Sequence, residues 1–169
     1  MERSRSMKRD VCNIVFGGVG GQGILKASEI CALAALYEGH HVRKSEVHGM
    51  AQRGGSVESH VRFGSAVYSA LVPVGSADFL VCFHAEEHER LKPFLKEGGT
   101  DLTACLGPAL RAVTRRQHLN TYLVGVLSAR LPFEEASWMK ALEAVFDARI
   151  LKENIKVFVA GRSAQYDLE

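Results

Sequence analysis

Two glycine-rich stretches of the sequence concentrate the residue types that could do chemistry. The first, GGVGGQG, covers residues 17–23, and the second, SEVHGMAQRGGSV, covers residues 45–57. The second stretch contains an acid, an imidazole, an amide and a guanidinium beside two adjacent glycines: Glu46, His48, Gln52, Arg53, Gly54 and Gly55. Neither a packed strand nor an amphipathic helix requires this mixture. The second stretch is therefore a candidate for a catalytic loop, a phosphate-binding loop or a surface that contacts another protein.

The first stretch has the spacing of a dinucleotide-binding turn between a strand and a helix. Glycines permit a tight turn, and the start of a helix offers unpaired N–H groups to an anion. Glu46 would be the acid that binds a ribose. The same glycines could instead let the helix pack closely or serve another ligand or subunit. The candidate binding residues of the two loops are Gly18, Gly20, Gly21, Gln22, Gly23, Gly54 and Gly55.

The side chains of the two loops have both functional and structural interpretations. His48 is either a functional group or a hydrogen-bonding loop residue. The planar guanidinium of Arg53 suits a phosphate or carboxylate, and it equally suits an ion pair at a subunit interface. We expect Glu46 to order its loop by accepting from backbone N–H groups. We expect Gln22 to point out of the glycine turn toward a partner or ligand, and Gln52 to supply a further contact.

Two clusters outside these loops are weaker candidates. His84 and His88 have the spacing of metal ligands on a helix, but no third ligand is evident, so a solvated helix start is favoured and no metal site is predicted. A basic cluster follows in the second half of the chain: Arg111, Arg115, Arg116 and His118. It is interpreted as a solvated face. His60 is interpreted as a surface residue.

Hydrophobic patterning places the first loop within a β-α-β unit. Residues 11–16 form a short apolar run typical of a buried strand, and residues 24–37 contain good helix formers that end before a glycine. Residues 41–47 predict a second strand. The right-handed crossover rule predicts that the two strands run parallel.

Further along the chain, the hydrophobic pattern changes to the alternation that is typical of strands. Alternation over residues 56–63 predicts a strand with one solvated face, which Gly64 turns into a second hairpin strand over 67–72. Residues 78–83 predict another buried strand. Residues 85–96 predict a short helix that Gly98 and Gly99 terminate.

From Pro108 onward the pattern is helical, and residues 155–159 suit either a helix or a strand. The Trp138 region fits a helical core stripe. The predicted fold class is α/β: a three-layer Rossmann-like sandwich on a mixed sheet, with a parallel β-α-β start, an antiparallel hairpin and a helical C-terminal third.

Composition limits the class of protein. The 169 residues suit one domain, predicted over 11–169 after a flexible tail at 1–10. The formal charge of +2 does not call for nucleic acid or an anionic membrane as partner. No apolar run is long enough to span a bilayer, and the first residues lack the apolar core of a secretory signal. We therefore expect a cytoplasmic protein.

The cysteines fit that expectation. Cys12, Cys31, Cys82 and Cys105 are widely spaced and form no C-x-x-C pair. Three of them fall in strand-like or helix-like apolar runs, where a free thiol behaves as a small hydrophobic group. We therefore expect buried thiols, and neither a disulfide framework nor an iron–sulfur site held by this chain alone.

The two loops, taken together and in order, resemble a known family. GGVGGQGILKASEI, then SEVHGMAQRGGSVESHVRFG and GSADFLVCF, resemble the gamma subunit or domain of the 2-oxoacid:ferredoxin oxidoreductases, in particular the smaller subunit of the indolepyruvate type. The similarity runs from about residue 13 to 100. It resumes in NTYLVGVLSARLPF, residues 120–133, and in NIKVFVAGR, residues 154–162.

The resemblance implies a reaction shared with a larger subunit. Such enzymes cleave a 2-oxoacid, here an arylpyruvate, with coenzyme A to an acyl-CoA and carbon dioxide while they reduce ferredoxin. Thiamine diphosphate with Mg²⁺ and iron–sulfur clusters belong mainly to the larger subunit. The isolated smaller chain is expected to bind none of these cofactors and to be inactive. Its loops, with Glu46, His48, Gln52 and Arg53, would complete the partner's active site. Under the same resemblance, the basic cluster could contact the anionic coenzyme A.

One departure from the family leaves alternatives open. Residues 100–119 appear shortened, which puts the completeness of the sheet in question. The chain could therefore be a non-catalytic paralogue with an assembly role, and the glycine pattern alone also permits a free-standing nucleotide-binding oxidoreductase. Under the leading interpretation both loops lie at the carboxyl ends of parallel strands. They are predicted to form one continuous patch that includes Gly20 and Arg53.

Overall fold

The computed structural model describes residues 10–48 and 54–168. The predicted contacts of Gln52 and Arg53, and almost all of the predicted tail, lie outside the described residues. The strands are β1 Val11–Val19, β2 His41–His48, β3 Ser56–Gly64, β4 Ala77–Cys82 and β5 Leu95–Asp101. The α-helices are α1 Ile24–Tyr37, α2 His88–Leu91, α3 Leu106–Ala112, α4 Leu119–Ser128, α5 Glu135–Val145 and α6 Ala148–Ser163.

The described strands form one five-stranded mixed sheet in the order β2-β3-β1-β4-β5. β3 is antiparallel to both of its neighbours, whereas β1, β4 and β5 are mutually parallel. β1 and β2 consequently point the same way, as predicted, but β3 lies between them. The mixed α/β sandwich is confirmed, and the β-α-β unit crosses over an intervening strand.

The predicted hairpin between residues 56–63 and 67–72 is wrong. β3 pairs instead with β1 and β2, and residues 65–76 cross the face of the sheet without forming a strand. Two side chains of β3 bind the crossing backbone: Arg62 Nη1 donates to the Ser69 carbonyl at 2.8 Å, and the Val72 N–H donates to His60 Nδ1 at 3.0 Å. In residues 65–76, side chains therefore bind backbone groups that would otherwise form hydrogen bonds between strands.

The predicted helix over residues 85–96 is divided into short 3₁₀ and α turns, and its last two residues belong to a strand. A 3₁₀ turn and α2 together reach only Leu91, a second 3₁₀ turn holds Pro93, and β5 begins at Leu95. Gly98 and Gly99 lie inside β5, where a register shift marks a bulge against β4. The open edge of β4 offers hydrogen-bond partners, and this pairing outweighs the local helical pattern.

Both faces of the sheet are covered, so the predicted solvated face of β3 is wrong. The main core lies on the α1 side and includes Phe16, Val61 and the fully buried Trp138. A smaller core on the opposite face includes Leu80 and Leu91. Because residues 65–76 and the segment around α2 cover that face, Glu58 is only 8% exposed and His60, predicted at the surface, only 2%.

The helical C-terminal third is confirmed, and the ambiguous residues 155–159 belong to α6. Helices α4 and α6 cross where Gly125 and Gly161 face each other's backbone. A Cβ on either glycine would meet a carbonyl oxygen of the other helix, of Phe158 or of Tyr122. Within the described ranges, no helix combines the length and apolar character needed to cross a membrane.

Candidate functional site

The two glycine-rich loops meet at the carboxyl ends of β1 and β2. The Gly20 N–H donates to the Gly55 carbonyl at 2.9 Å, and Val19 and Ser56 are register partners at the end of the β1–β3 pairing. Arg53 is outside the described residues, so the predicted continuous patch stays a prediction there. Gly20 and Gly55, the described residues of the two loops, are in direct contact although they are 35 positions apart in sequence.

Gln22 holds the glycine turn in place. Its Oε1 accepts from the Val19 N–H at 2.9 Å, and its Nε2 donates to the Phe83 carbonyl at 2.9 Å. The prediction that Gln22 points outward to a partner is therefore wrong. A side-chain amide can satisfy one donor and one acceptor at once, and here it joins the turn to the chain that leaves β4.

The end of the glycine turn is fixed from the far half of the chain. Gly23 has φ of 75° and forms the N-terminal boundary of α1. A Cβ there would meet the side-chain amide of Asn120, whose Nδ2 donates to the Gly23 carbonyl at 3.3 Å. Sequence reasoning missed Asn120 because its partner lies 97 residues away and no local pattern links them.

A groove lies between the two loops and one face of α1. It has a volume of about 600 Å³ and we call it the loop groove. Its lining includes Gly20, Leu25, Lys26, Glu29, His48 and Gly55. The groove therefore combines exposed glycine backbone and an apolar side chain with groups of both charges and one imidazole. Of the candidate side chains, it places His48 beside the glycine turn.

Glu46 lies on the outer strand β2 and binds side chains on the same face of that strand. Lys44 Nζ is 3.0 Å from its Oε1, and His48 Nε2 is 4.0 Å from its Oε2. Among the described residues it accepts no backbone N–H; residues 49–53 of the loop lie outside the described residues, so its predicted role in ordering that loop stays a prediction. Because β3 separates β2 from β1, Glu46 also does not occupy the position of a ribose-binding acid beside the glycine turn.

A polar network, buried at Glu58 and His60 and solvent-exposed at Arg90, supports the second loop from the opposite face. Ser56 Oγ donates to Glu87 Oε1 at 3.0 Å, and Arg90 bridges Glu87 and Glu58, each at 2.6 Å. His60 Nδ1 is an acceptor, so its Nε2 carries the proton and donates to Glu58 at 3.1 Å. Hydrogen bonds from His60 and then Arg90 hold the pKa of Glu58 below its usual value. Sequence reasoning missed this network.

The described residues do not fit a metal or iron–sulfur cofactor. All four cysteines are free, and three are buried. Burial raises the pKa of Cys12 to about 12 and that of Cys105 to about 11, so these thiols are protonated and poor ligands. His88 binds Asp101 at 2.6 Å. Across residues 10–48 and 54–168, no group of three or more His, Cys, Asp or Glu side chains is placed to hold a metal ion.

Known relatives match about half of the chain. Proteins named indolepyruvate oxidoreductase subunit IorB from Thermococcus kodakarensis and Pyrococcus horikoshii are each 53% identical over 91 residues. The relative from Archaeoglobus fulgidus is 51% identical over 85 residues. The first two matches cover 54% of this chain and only 45% of each relative. The aligned part is thus less than half of their length.

Solved structures share the fold over most of the chain. The gamma subunit of a keto/oxoacid ferredoxin oxidoreductase from Geobacter sulfurreducens has a TM-score of 0.73 at 25% identity, over 89% of this chain and 95% of that one. The 2-oxoglutarate:ferredoxin oxidoreductase of Magnetococcus marinus has a TM-score of 0.77 at 19% identity, over 92% of this chain and 31% of that one. The second likeness concerns the fold alone.

The family model described as pyruvate ferredoxin/flavodoxin oxidoreductase matches residues 13–106. That range begins in β1, includes both glycine-rich loops and all of the sheet except the first two residues of β1, and ends at the start of α3. Because the match spans more than half of the 169 residues, the chain belongs to the pyruvate ferredoxin/flavodoxin oxidoreductase family.

Proposed function

We propose that the chain is the smaller subunit of a 2-oxoacid:ferredoxin oxidoreductase of the indolepyruvate type. Its family membership and the names of its archaeal relatives support this assignment. The observation that carries it is the junction of the two loops through Gly20 and Gly55, which builds the loop groove at one edge of the sheet. Open α/β sheets bind ligands and partners at this edge.

In the proposed complex, a larger subunit carries the cofactors and most of the chemistry. That subunit would hold thiamine diphosphate with Mg²⁺, which would supply the carbanion chemistry of decarboxylation. It would also hold iron–sulfur clusters to carry electrons to ferredoxin, and coenzyme A would receive the acyl group. The cysteines of the present chain are unsuited to hold a cluster, which agrees with a supporting role.

The contribution of this chain would be a shaped surface that closes the partner's active site. His48 and Lys26 line the loop groove, and Glu46 pairs with His48 at its margin. With Gln52 and Arg53 they would supply polar contacts, while the glycines allow close approach of the partner's backbone or a ligand. Gln22 and Asn120 would act as positioning residues, because they bind the turn and not the groove.

Co-expression with a thiamine-diphosphate and iron–sulfur subunit from the same organism tests the proposal. We expect a stable complex that oxidises indolepyruvate with a viologen acceptor only when coenzyme A is present, and an inactive isolated chain. Failure to form a complex would contradict the assignment. A complex without this activity would instead support an assembly role, and saturable NAD binding by the isolated chain would support a nucleotide-binding oxidoreductase.

Gly20→Val tests the groove itself. Among the described residues, a Cβ at Gly20 meets only Gly54 N at 3.6 Å and the Gly55 carbonyl at 3.8 Å, so they leave room for it while the larger side chain fills the groove. We expect the variant to keep its melting temperature and bind the larger subunit at least about tenfold more weakly, a loss of about 1.4 kcal/mol.

The matched control is Gly107→Val, on the exposed side of α3, where a Cβ also meets nothing closer than 3.6 Å. This variant should bind the larger subunit as the wild type does. Equal affinity of the two variants would contradict a role for the loop groove in assembly.

A further inference from the structure

The sheet has a topological switch point between β1 and β4. These neighbours are parallel, so their carboxyl ends lie side by side. After β1 the chain passes through α1 on the face of the main core, and after β4 it passes through α2 on the opposite face. Because the connections after β1 and β4 leave toward opposite faces of the sheet, a crevice opens at the ends of these strands. Open α/β sheets bind small ligands in such crevices.

The structure contains a cleft of about 820 Å³ at this point, within the range of small-molecule sites. It lies across the glycine turn from the loop groove, with which it shares Gly21, Gly23 and Lys26. We call it the switch-point cleft and define it by Gly23, Lys26, His84, Arg115, Arg116 and His118.

Three cationic side chains line the switch-point cleft without a carboxylate partner among the described residues. Arg115 and Arg116 are exposed and make neither an ion pair nor a side-chain hydrogen bond there. Lys26 Nζ lies 5.1 Å from the ring centroid of Phe146, which also lines the cleft. Glu86 and Glu153 are the acids in the lining.

Two imidazoles line the cleft, and one of them is buried. His118 is only 5% exposed and has no side-chain hydrogen bond within the described part of the chain; a Glu153 oxygen is 3.9 Å from its Nε2. His84 is half-buried, and its inaccessible Nδ1 atom has no hydrogen-bond partner among the described residues. The cleft wall therefore contains one buried ring with a single long polar contact and one unsatisfied nitrogen, which costs about 1–3 kcal/mol.

The remaining walls of the cleft differ in polarity. On one side α1 begins with no side-chain cap and no acid in its first turn, so its first N–H groups can donate hydrogen bonds to an anion. On the other side Leu110 and Ile150 leave 42% and 44% of their surface exposed next to Phe146. One end of the cleft therefore suits an anionic group and the other an apolar or aromatic one.

We propose that the switch-point cleft binds a small organic anion with a carboxylate or phosphate head and an aromatic or apolar body. The head would accept from the start of α1 and from Arg115 or Arg116, whose planar groups suit either oxyanion. His84 and His118 would hydrogen-bond the ligand, and its body would lie on Phe146 and Ile150.

Titration of the full chain by NMR tests the proposal without any partner subunit. Indole-3-acetate supplies a carboxylate on an aromatic body, and adenosine 5′-monophosphate supplies a phosphate on one. We expect at least one of them to shift the ring signals of His84 and His118 saturably, and comparison of the two identifies the preferred head group. If neither shifts these signals, the proposal is wrong.

Arg115→Gln combined with Arg116→Gln should weaken binding of the active probe at least about tenfold. The charge-matched control, Arg43→Gln with Arg149→Gln, changes two exposed arginines that do not line the cleft and should leave the affinity unchanged. Equal weakening in both double variants would indicate a nonspecific charge effect and would overturn the site. Because no larger subunit is involved, this outcome is independent of the assembly proposed above.

Discussion

Charged residues serve opposite purposes on the two sides of the glycine turn. Behind the second loop, Arg90 is bound to Glu58 and Glu87, and the polar face of β3 is closed to solvent. In the switch-point cleft, Arg115 and Arg116 lack partners among the described residues. A cation whose hydrogen bonds are already used stabilises the fold, whereas a cation with free donors in a cleft is available to a ligand.

The comparison also separates two kinds of polar burial. His60 has a hydrogen bond at each ring nitrogen, so its burial is fully compensated. His118 is almost as deeply buried but lacks hydrogen bonds within the described residues. Burial alone therefore does not identify a site. What distinguishes a binding histidine from a structural one is whether the protein itself satisfies the ring.

The largest expected effect comes from breaking the ion pairs of Arg90 with Glu58 and Glu87. Arg90→Met leaves Glu58 buried with His60 as its remaining partner, and we expect the free energy of unfolding to fall by about 2–3 kcal/mol. Chemical denaturation at neutral pH measures this loss. The control Arg149→Met removes an exposed pair with Asp147 and should cost at most about 0.5 kcal/mol. Equal losses in the two variants would show that burial of the network contributes nothing.

A smaller effect should appear in the pH dependence of stability. The folded pKa of Glu58 lies below its unfolded value, so its contribution is present above the unfolded pKa and is lost as pH falls through the folded one. We expect the stability difference between the wild type and Glu58→Gln to be greatest near neutral pH and to shrink in acid. Denaturation series from about pH 6 to about pH 3 measure it. A difference independent of pH would contradict the charged network.

The smallest expected change in stability concerns the cleft. Arg115→Gln combined with Arg116→Gln removes no described ion pair, so the free energy of unfolding should stay within about 0.5 kcal/mol of the wild type. The same denaturation assay measures it. A loss as large as that of Arg90→Met would mean that these arginines are structural, and the contrast between the two regions would disappear.

Local patterns predicted those elements whose neighbours in space are also their neighbours in sequence. Helix α1 begins and ends at Ile24 and Tyr37 as predicted, because its apolar period and the following glycine are local signals. The predicted second strand of the hairpin, over 67–72, does not form because the side chains of Arg62 and His60, on β3, bind the backbone of that segment. β5 was missed because its pairing with β4 outweighs a helical pattern.

The two loops of the candidate site were identified from sequence, but the residues that hold them were not. Closely spaced glycines indicate a turn from the local sequence alone, so the turn at residues 17–23 could be predicted. The outward direction predicted for Gln22 was wrong, since the Phe83 carbonyl it binds lies 61 positions away. Asn120 and the Glu58 network give no sequence signal for the same reason.

By itself, the sequence determined the family, the α/β class and the two glycine-rich loops, because these depend on residue types and spacings within short segments. Only the tertiary structure decided that Gly20 contacts Gly55, that Gln22 faces inward and that Arg90 and Arg115 have different roles. Whether a polar side chain is satisfied or free depends on which distant atoms reach it. That is set by how the strands are ordered and what covers each face, not by the residue's neighbours along the chain.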